Sequence, residues 1–414
     1  MHKTTAILLA IGLWGPLASV VYFLSLASGA PFAFAVAMVF TLLLLLLVAV
    51  RRACRRNAEF QLSRKEGLLL LMGIALLCGA CAMLGRRYGD FDAALIWNLH
   101  ARHLTNGERW RSVFIEGASG NAAYPYGLPA LVAFGWRLVG GFSPVVPYAL
   151  ALLPTVCIPV MIYLQTSTRS LIIGAGVLAA FGLYPYYIAL GLDQYADIQI
   201  AWLLLLTAVC IQRRRVTGNQ TYALSTGLLL GALCWTKYEG ILLAGCVLLW
   251  HIPLLRHRKT LLLLLLGVTP FAVAWVILRQ AGAPPSPLVQ GFESMWLRVS
   301  DASRYGLVAR QFWDVSTGVL APFAILMIAY PALSLRARLC LSPLYGTICT
   351  AVFGYVAVYL LLVTTDLDWN LRFSLPRLLL QLYPTLVFIT AMQVKAILER
   401  RALVKSTTLP TATP

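Results

Sequence analysis

Residues 32–56 read FAFAVAMVFTLLLLLLVAVRRACRR. From Phe32 to Val50 the run is apolar and uncharged, and it ends on Arg51, Arg52, Arg55 and Arg56. A helix that crosses a bilayer needs ~20 mostly apolar residues, and cytoplasmic flanks collect Lys and Arg. The stretch therefore predicts a membrane span whose C-terminal end faces the cytoplasm. Eleven more segments read the same way, roughly 5–27, 67–85, 146–164, 171–190, 198–212, 222–236, 240–255, 260–279, 315–334, 344–364 and 378–396. The first has His2 and Lys3 before an apolar core and the small residues Ala27 to Ala30 after it, like a secretory signal. Its core is too long for one, so an uncleaved first helix is expected. Segments 222–236 and 240–255 read as one helix would span ~50 Å, too long for a ~30 Å hydrocarbon layer. Two short helices instead put Arg256, Arg258 and Lys259 on the same side as Arg213, Arg214 and Arg215.

Composition agrees. Of 414 residues, 60% are hydrophobic and 12% charged, against ~45–50% and ~25% in soluble domains. A soluble fold cannot hide so much apolar surface, and disordered or collagen-like chains are excluded by the same numbers. The net charge of +18 sorts by side of the membrane. With the N-terminus inside, the cytoplasmic segments hold 20 basic residues and three acids, Glu59, Glu66 and Glu399. The outer segments hold 13 basic residues and 12 acids. The excess is an orientation signal, so no nucleic-acid partner is implied. Most of the nine cysteines lie in apolar runs and act as small hydrophobes; the CxxC of Cys78 and Cys81 has no second pair.

The expected architecture is all-α. A single transmembrane domain covers 1–405, about 12 helices with both termini cytoplasmic, followed by a disordered Ser/Thr/Pro-rich tail, 406–414. Outer loops fall at 86–145, 191–197, 280–314 and 365–377. The first contains two interfacial segments, Ala93–Leu104 and Tyr124–Leu138.

The outer acids cluster at helix ends: Asp90 and Asp92, Asp193 and Asp197, Glu239, then Asp366 and Asp368. Carboxylates at an apolar boundary lose hydration and need a reason to be there. Asp92 can be a plain N-cap of 93–104. Lys237 and Glu239 can simply neutralise each other. Arg372 and Arg377 sit at the outer start of the last helix, where Arg377 can hold a phosphate bidentately or only snorkel to headgroups. His100 and His103 have i,i+3 spacing but no clear carboxylate partner, a weak metal signal.

Five pieces, GDFDAALIWNLHARHL (89–104), YPYGLPALVAFGWRLVGG (124–141), QYADIQIAWLLLL (194–206), GLLLGALCWTKYEG (227–240) and RLLLQLYP (377–384), resemble the GT-C superfamily of membrane glycosyltransferases. The nearest group is family 39, the protein mannosyltransferase and aminoarabinose transferase-like enzymes. Their order and placement carry the resemblance. In that family the first-loop Asp follows the first helix; here it follows the third, which makes two N-terminal helices additional. The resemblance implies transfer of a sugar from a polyprenyl-phosphate donor to an acceptor hydroxyl of a lipid, glycan or protein, with inversion. Asp92 would be the general base, with Asp90 next in line. Lys237, Arg372 and Arg377 would bind the donor phosphate, supported by Glu239 and Tyr124. Asp193 and Asp197 would orient the acceptor or hold a divalent cation; no cofactor is otherwise required. The site would face the periplasm of a bacterial inner membrane. A transporter or flippase of a lipid-linked glycan, or a glycan polymerase or ligase, is the alternative.

Overall fold

The computed structural model describes residues 3–55, 62–115, 121–166, 170–285, 294–337, 339–340, 342–363 and 366–407. Among these the regular structure is all helix, with no strand. Eight helices are long and apolar enough to cross a membrane: Thr5–Ala27, Phe32–Arg52, Arg64–Leu84, Val145–Thr166, Ala196–Thr217, Arg258–Gln280, Pro343–Leu361 and Leu367–Ala402. Two bent pairs raise the count to 10: Leu171–Gly182 with Pro185–Leu192, at 60°, and Ala302–Thr317 with Ala321–Arg336, at 89°. The chain is a multi-pass, all-helical membrane protein.

Twelve spans are not reached. Thr221–Thr236 and Tyr238–Trp250 are separate helices, broken where Lys237 adopts an extended conformation. At 1.5 Å per residue they are about 24 and 20 Å long, short of a ~30 Å layer. Gly240 permits the tight join, since a Cβ there would fall 1.9 Å from the Leu233 carbonyl oxygen. Segment 315–334 is not one helix either. The chain turns at Gly318 to Leu320, and residues 315–317 complete the preceding helix, which turns Val308, Gln311 and Val315 inward at i, i+3, i+7 spacing.

The expected loop 365–377 is largely helical. From Leu367 one helix runs 41 residues to Thr407, taking in Ser406 and Thr407 of the expected tail. Residues 408–414 lie outside the described ones.

Burial separates centre from rim. In the most apolar 18-residue stretches of Leu367–Ala402 and Ala196–Thr217, 89% and 83% of residues are buried within the protein, against 11% in those of Phe32–Arg52 and Arg64–Leu84. The rim helices turn Leu44, Leu45, Leu71 and Leu76 outward as a lipid-facing surface. The two central helices carry Asp197 and Arg377.

The two segments expected at the interface pack against the protein. Ala93–Trp97 is a π-helical turn that runs into the helix Asn98–Leu104, and Trp97, Ala101 and Leu104 are buried. Gly127–Leu138 forms a helix with nine buried residues. The Tyr22 hydroxyl donates to the Leu104 carbonyl at 2.6 Å, and Phe23 packs on Trp110, Tyr126 and Trp235. Apolar composition cannot distinguish burial in lipid from burial in protein, and here the first helix supplies the covering surface.

Candidate functional site

Five charged side chains from four segments meet at one end of the bundle. Asp197 lies in the first turn of its helix, where the N-terminal dipole favours a negative charge. Its side chain is 1% exposed. Both oxygens are engaged: Oδ2 accepts from Arg377 Nη2 at 2.9 Å, and Oδ1 from Lys237 Nζ at 3.1 Å and Gln381 Nε2 at 2.6 Å. Gln381 is held in turn by the Tyr355 hydroxyl, which donates to its Oε1 at 2.9 Å. Arg377 and Gln381 stand four residues apart on the last helix, so both reach the same carboxylate.

Arg377 continues the chain to Asp92. Its Nη1 donates to Asp92 Oδ2 at 2.6 Å, and its guanidinium lies over the Tyr195 ring at 4.2 Å. Asp92 therefore does not act as an N-cap: its side chain makes no capping bond and turns to Arg377. At the other end Lys237 Nζ also meets Glu239 Oε1 at 2.9 Å. The order along the network is Asp92, Arg377, Asp197, Lys237, Glu239. Asp92 and Glu239, at 24% and 22% side-chain exposure, form its accessible ends. Two buried atoms in it have no partner among the described residues, Arg377 Nε and Glu239 Oε2. Buried polar atoms are nearly always satisfied, so these are the places where a ligand or water can add.

Aromatic rings wall the network. Tyr124 stacks on Trp97 at 5.5 Å between centroids and meets Tyr238 at 5.6 Å. Burial, and then the charge of Glu239, push the Tyr124 phenol up to about 12. Tyr124 is thus a neutral wall and donor rather than a base.

No family model, curated protein or solved structure matches this chain. Any functional reading therefore rests on the chemistry of these residues.

Asp90 and Asp193 form a neighbouring group rather than part of the network. Asp90 pairs with Arg86, and its backbone N–H donates to the Asp193 carbonyl at 3.2 Å. Arg86 Nε also lies 4.0 Å from Asp193 Oδ1. Burial pushes the Asp193 carboxyl up to about 6 against the pull of Arg86, with Asp90 adding to the rise. Gly89, at φ +72°, makes the turn possible: a Cβ there would meet Ala93 Cβ at 2.6 Å and the Asp193 oxygen at 2.9 Å. Gln194, itself at φ 63°, ties the segments together by donating to the Arg87 carbonyl at 3.0 Å and accepting from Asn98 at 3.1 Å.

Three expectations change. Arg372 is not in the site; it is largely exposed and pairs with Asp368 at 2.7 Å. Asp193 and Asp197 do not make a cation site, because both Asp197 oxygens face cationic or amide donors. Among the described residues no group of three or more His, Cys, Asp or Glu side chains is placed to hold a metal ion. His103 Nδ1 lies 2.8 Å from the Ser112 hydroxyl, and His100 is buried against Tyr126. Sequence reasoning missed Gln381, Tyr355, Gln194 and Tyr195. Only Gln381 left a signal, its i,i+4 spacing from Arg377.

Proposed function

We propose that the chain transfers a sugar from a polyprenyl-phosphate donor to an acceptor hydroxyl. One observation carries the reading: the accessible carboxylate of Asp92 stands 2.6 Å from a guanidinium that is itself anchored on a buried carboxylate. The acceptor hydroxyl gives its proton to Asp92 while its oxygen attacks the anomeric carbon. The bond from that carbon to the phosphate oxygen breaks on the opposite face, with inversion. Polyprenyl phosphate leaves as an anion, and the charge of the Arg377 guanidinium, whose buried Nε has no partner among the described residues, stabilises it. Lys237 and Glu239 complete the electrostatic frame, and Asp197 is a positioning residue, too buried to touch an acceptor. The reading places the site on the periplasmic face of a bacterial inner membrane, with both termini cytoplasmic and a GT-C-like arrangement of helices.

A transfer assay with polyprenyl-phosphate sugars and membrane extract tests it. Asp92→Asn should lose at least ~100-fold in rate, the scale of general base catalysis, with unfolding close to wild type. Absence of transfer by the wild type from every polyprenyl-phosphate sugar tried, or full activity in Asp92→Asn, would sink the reading.

A second reading, ion-coupled transport of a lipid-linked glycan, is favoured by one fact. Asp197 and Arg377 lie on the two most buried spans, where intramembrane charges mark ion pathways. Charge-coupled glycolipid movement in proteoliposomes, without transfer, would select it.

A further inference from the structure

We propose that a groove between the first two helices and the end of Arg258–Gln280 binds one anionic phospholipid of the surrounding bilayer. The groove encloses about 640 Å³, within the ~300–1,000 Å³ of ordinary ligand pockets. Its walls are mainly apolar, with Leu24, Met38, Val273 and Ile277 among them. Phe34 and Met38, 52% and 43% exposed, open it onto the second helix, whose surface is almost entirely unburied by protein. An occupant therefore arrives from lipid rather than from water. None of the five charged residues of the candidate site lines the groove, so the proposal does not rest on the transfer reading.

One end of the groove is polar, with Ser28, Gln280 and Arg111. Arg111 is exposed and makes no ion pair or hydrogen bond among the described residues; its guanidinium rests on the Trp110 ring at 5.5 Å. Arg86, Arg310, Arg372 and Arg377 each face a carboxylate, and Arg279, Arg298 and Arg304 are held by backbone carbonyls. Arg102 repeats the Arg111 pattern, lying over Phe142 at 5.6 Å with no carboxylate partner among the described residues; Arg137 lies over Phe32 at 4.1 Å but also meets the Tyr22 hydroxyl. A guanidinium at the rim of an apolar slot, set on an aromatic ring, lacks only an anion. A phosphodiester supplies two oxygens for its fork, and the acyl chain fills the slot. A zwitterionic lipid offers the same chain but cancels much of the charge.

The test uses the full chain reconstituted with equal amounts of phosphatidylglycerol, phosphatidylcholine and polyprenyl phosphate. It is then extracted in mild detergent, and the retained lipid is read by native mass spectrometry. The expected result is one phosphatidylglycerol per chain. Arg111→Gln should weaken retention about tenfold, the low end for a charge-assisted hydrogen bond. Val273→Trp, which fills the apolar half from an exposed position, should abolish it. Equal retention of phosphatidylcholine, undiminished retention of phosphatidylglycerol by Arg111→Gln, or retention of polyprenyl phosphate that Arg111→Gln abolishes would overturn the proposal.

Discussion

Asp197→Asn separates a carboxylate that holds the scaffold from one that does chemistry. Three donors converge on the two oxygens of Asp197, at 2.9, 3.1 and 2.6 Å. Asparagine offers one oxygen and turns an N–H₂ group toward at least one of those donors. Breaking a buried ion pair costs ~3–5 kcal/mol. Here each cation keeps a second partner, Arg377 with Asp92 and Lys237 with Glu239, so the loss falls at the lower end, about 3 kcal/mol. Asp92→Asn removes one contact from a carboxylate that is 24% exposed, for about 1 kcal/mol. Stability should therefore rise in the order Asp197→Asn, Asp92→Asn, wild type, the reverse of what catalytic importance alone would give. Unfolding can be followed with a thiol-reactive dye, because Cys210 and Cys81 are at most 1% exposed and label only on opening. Exposed Cys78 and Cys340 are changed to Ser to lower the baseline. Adding Lys237→Met to Asp197→Asn should recover part of the loss, with a coupling of about 1–3 kcal/mol. If Asp197→Asn unfolds with the wild type while Asp92→Asn unfolds well below it, the assignment of roles is wrong.

Arg377→Lys should lose transfer by ~100-fold or more, as for removal of an oxyanion donor, because one ammonium cannot reproduce the fork to Asp92 and Asp197; rate measurements at saturating donor check this. Arg372→Gln should change stability by no more than ~0.5 kcal/mol and leave transfer unchanged, since its pair with Asp368 is exposed. Asp193 is raised from 3.8 to about 6 in the folded chain. Its contribution to stability is therefore full below the unfolded value near 3.8 and is lost as pH rises through about 6. Unfolding midpoints of wild type and Asp193→Asn measured between those limits should show the wild type losing ground as pH rises; parallel curves would contradict the burial argument.

The spans were legible because each needs only a long apolar run with charged ends, a property of composition. The 89° bend is flanked by Gly318, which caps one helix, and Pro322, in the first turn of the next, signals of helix ends that the surrounding apolar run hid. The fate of Ala93–Leu104 was hidden for another reason. An apolar segment buries itself against lipid or protein with the same sequence signature, and only the neighbouring rings of Phe23 and Tyr126 decide. In the site, sequence named all five network residues by their charge at helix ends, but not which of them meet. Taking the last helix back to Leu367 resolves the two arginines. Five residues at ~100° each put Arg372 and Arg377 about 140° apart, while Gln381 falls about 40° from Arg377. Asp90 and Asp92 part for a local reason: the tight turn at Gly89 commits Asp90 to Arg86 and Asp193 before the π-helical turn begins. Aromatic partners such as Tyr355 and Tyr195 stayed invisible because a tyrosine in an apolar run looks like ordinary core.

The span of chain between the partners of the network sets a schedule for making it. Asp92 and Arg377 are 285 positions apart, whereas Asp197 and Lys237 are 40 apart. At ~5–20 residues per second, a nascent chain that has delivered Asp92 to the membrane waits about 15–60 s for Arg377. During that interval Asp197 has only Lys237 to balance it, and Lys237 is shared with Glu239. The last helix is thus the final fastener of the bundle, and a ribosome that stalls before it leaves behind a chain whose acidic groups have no home in lipid. Completing the chain and neutralising the site are therefore one and the same event.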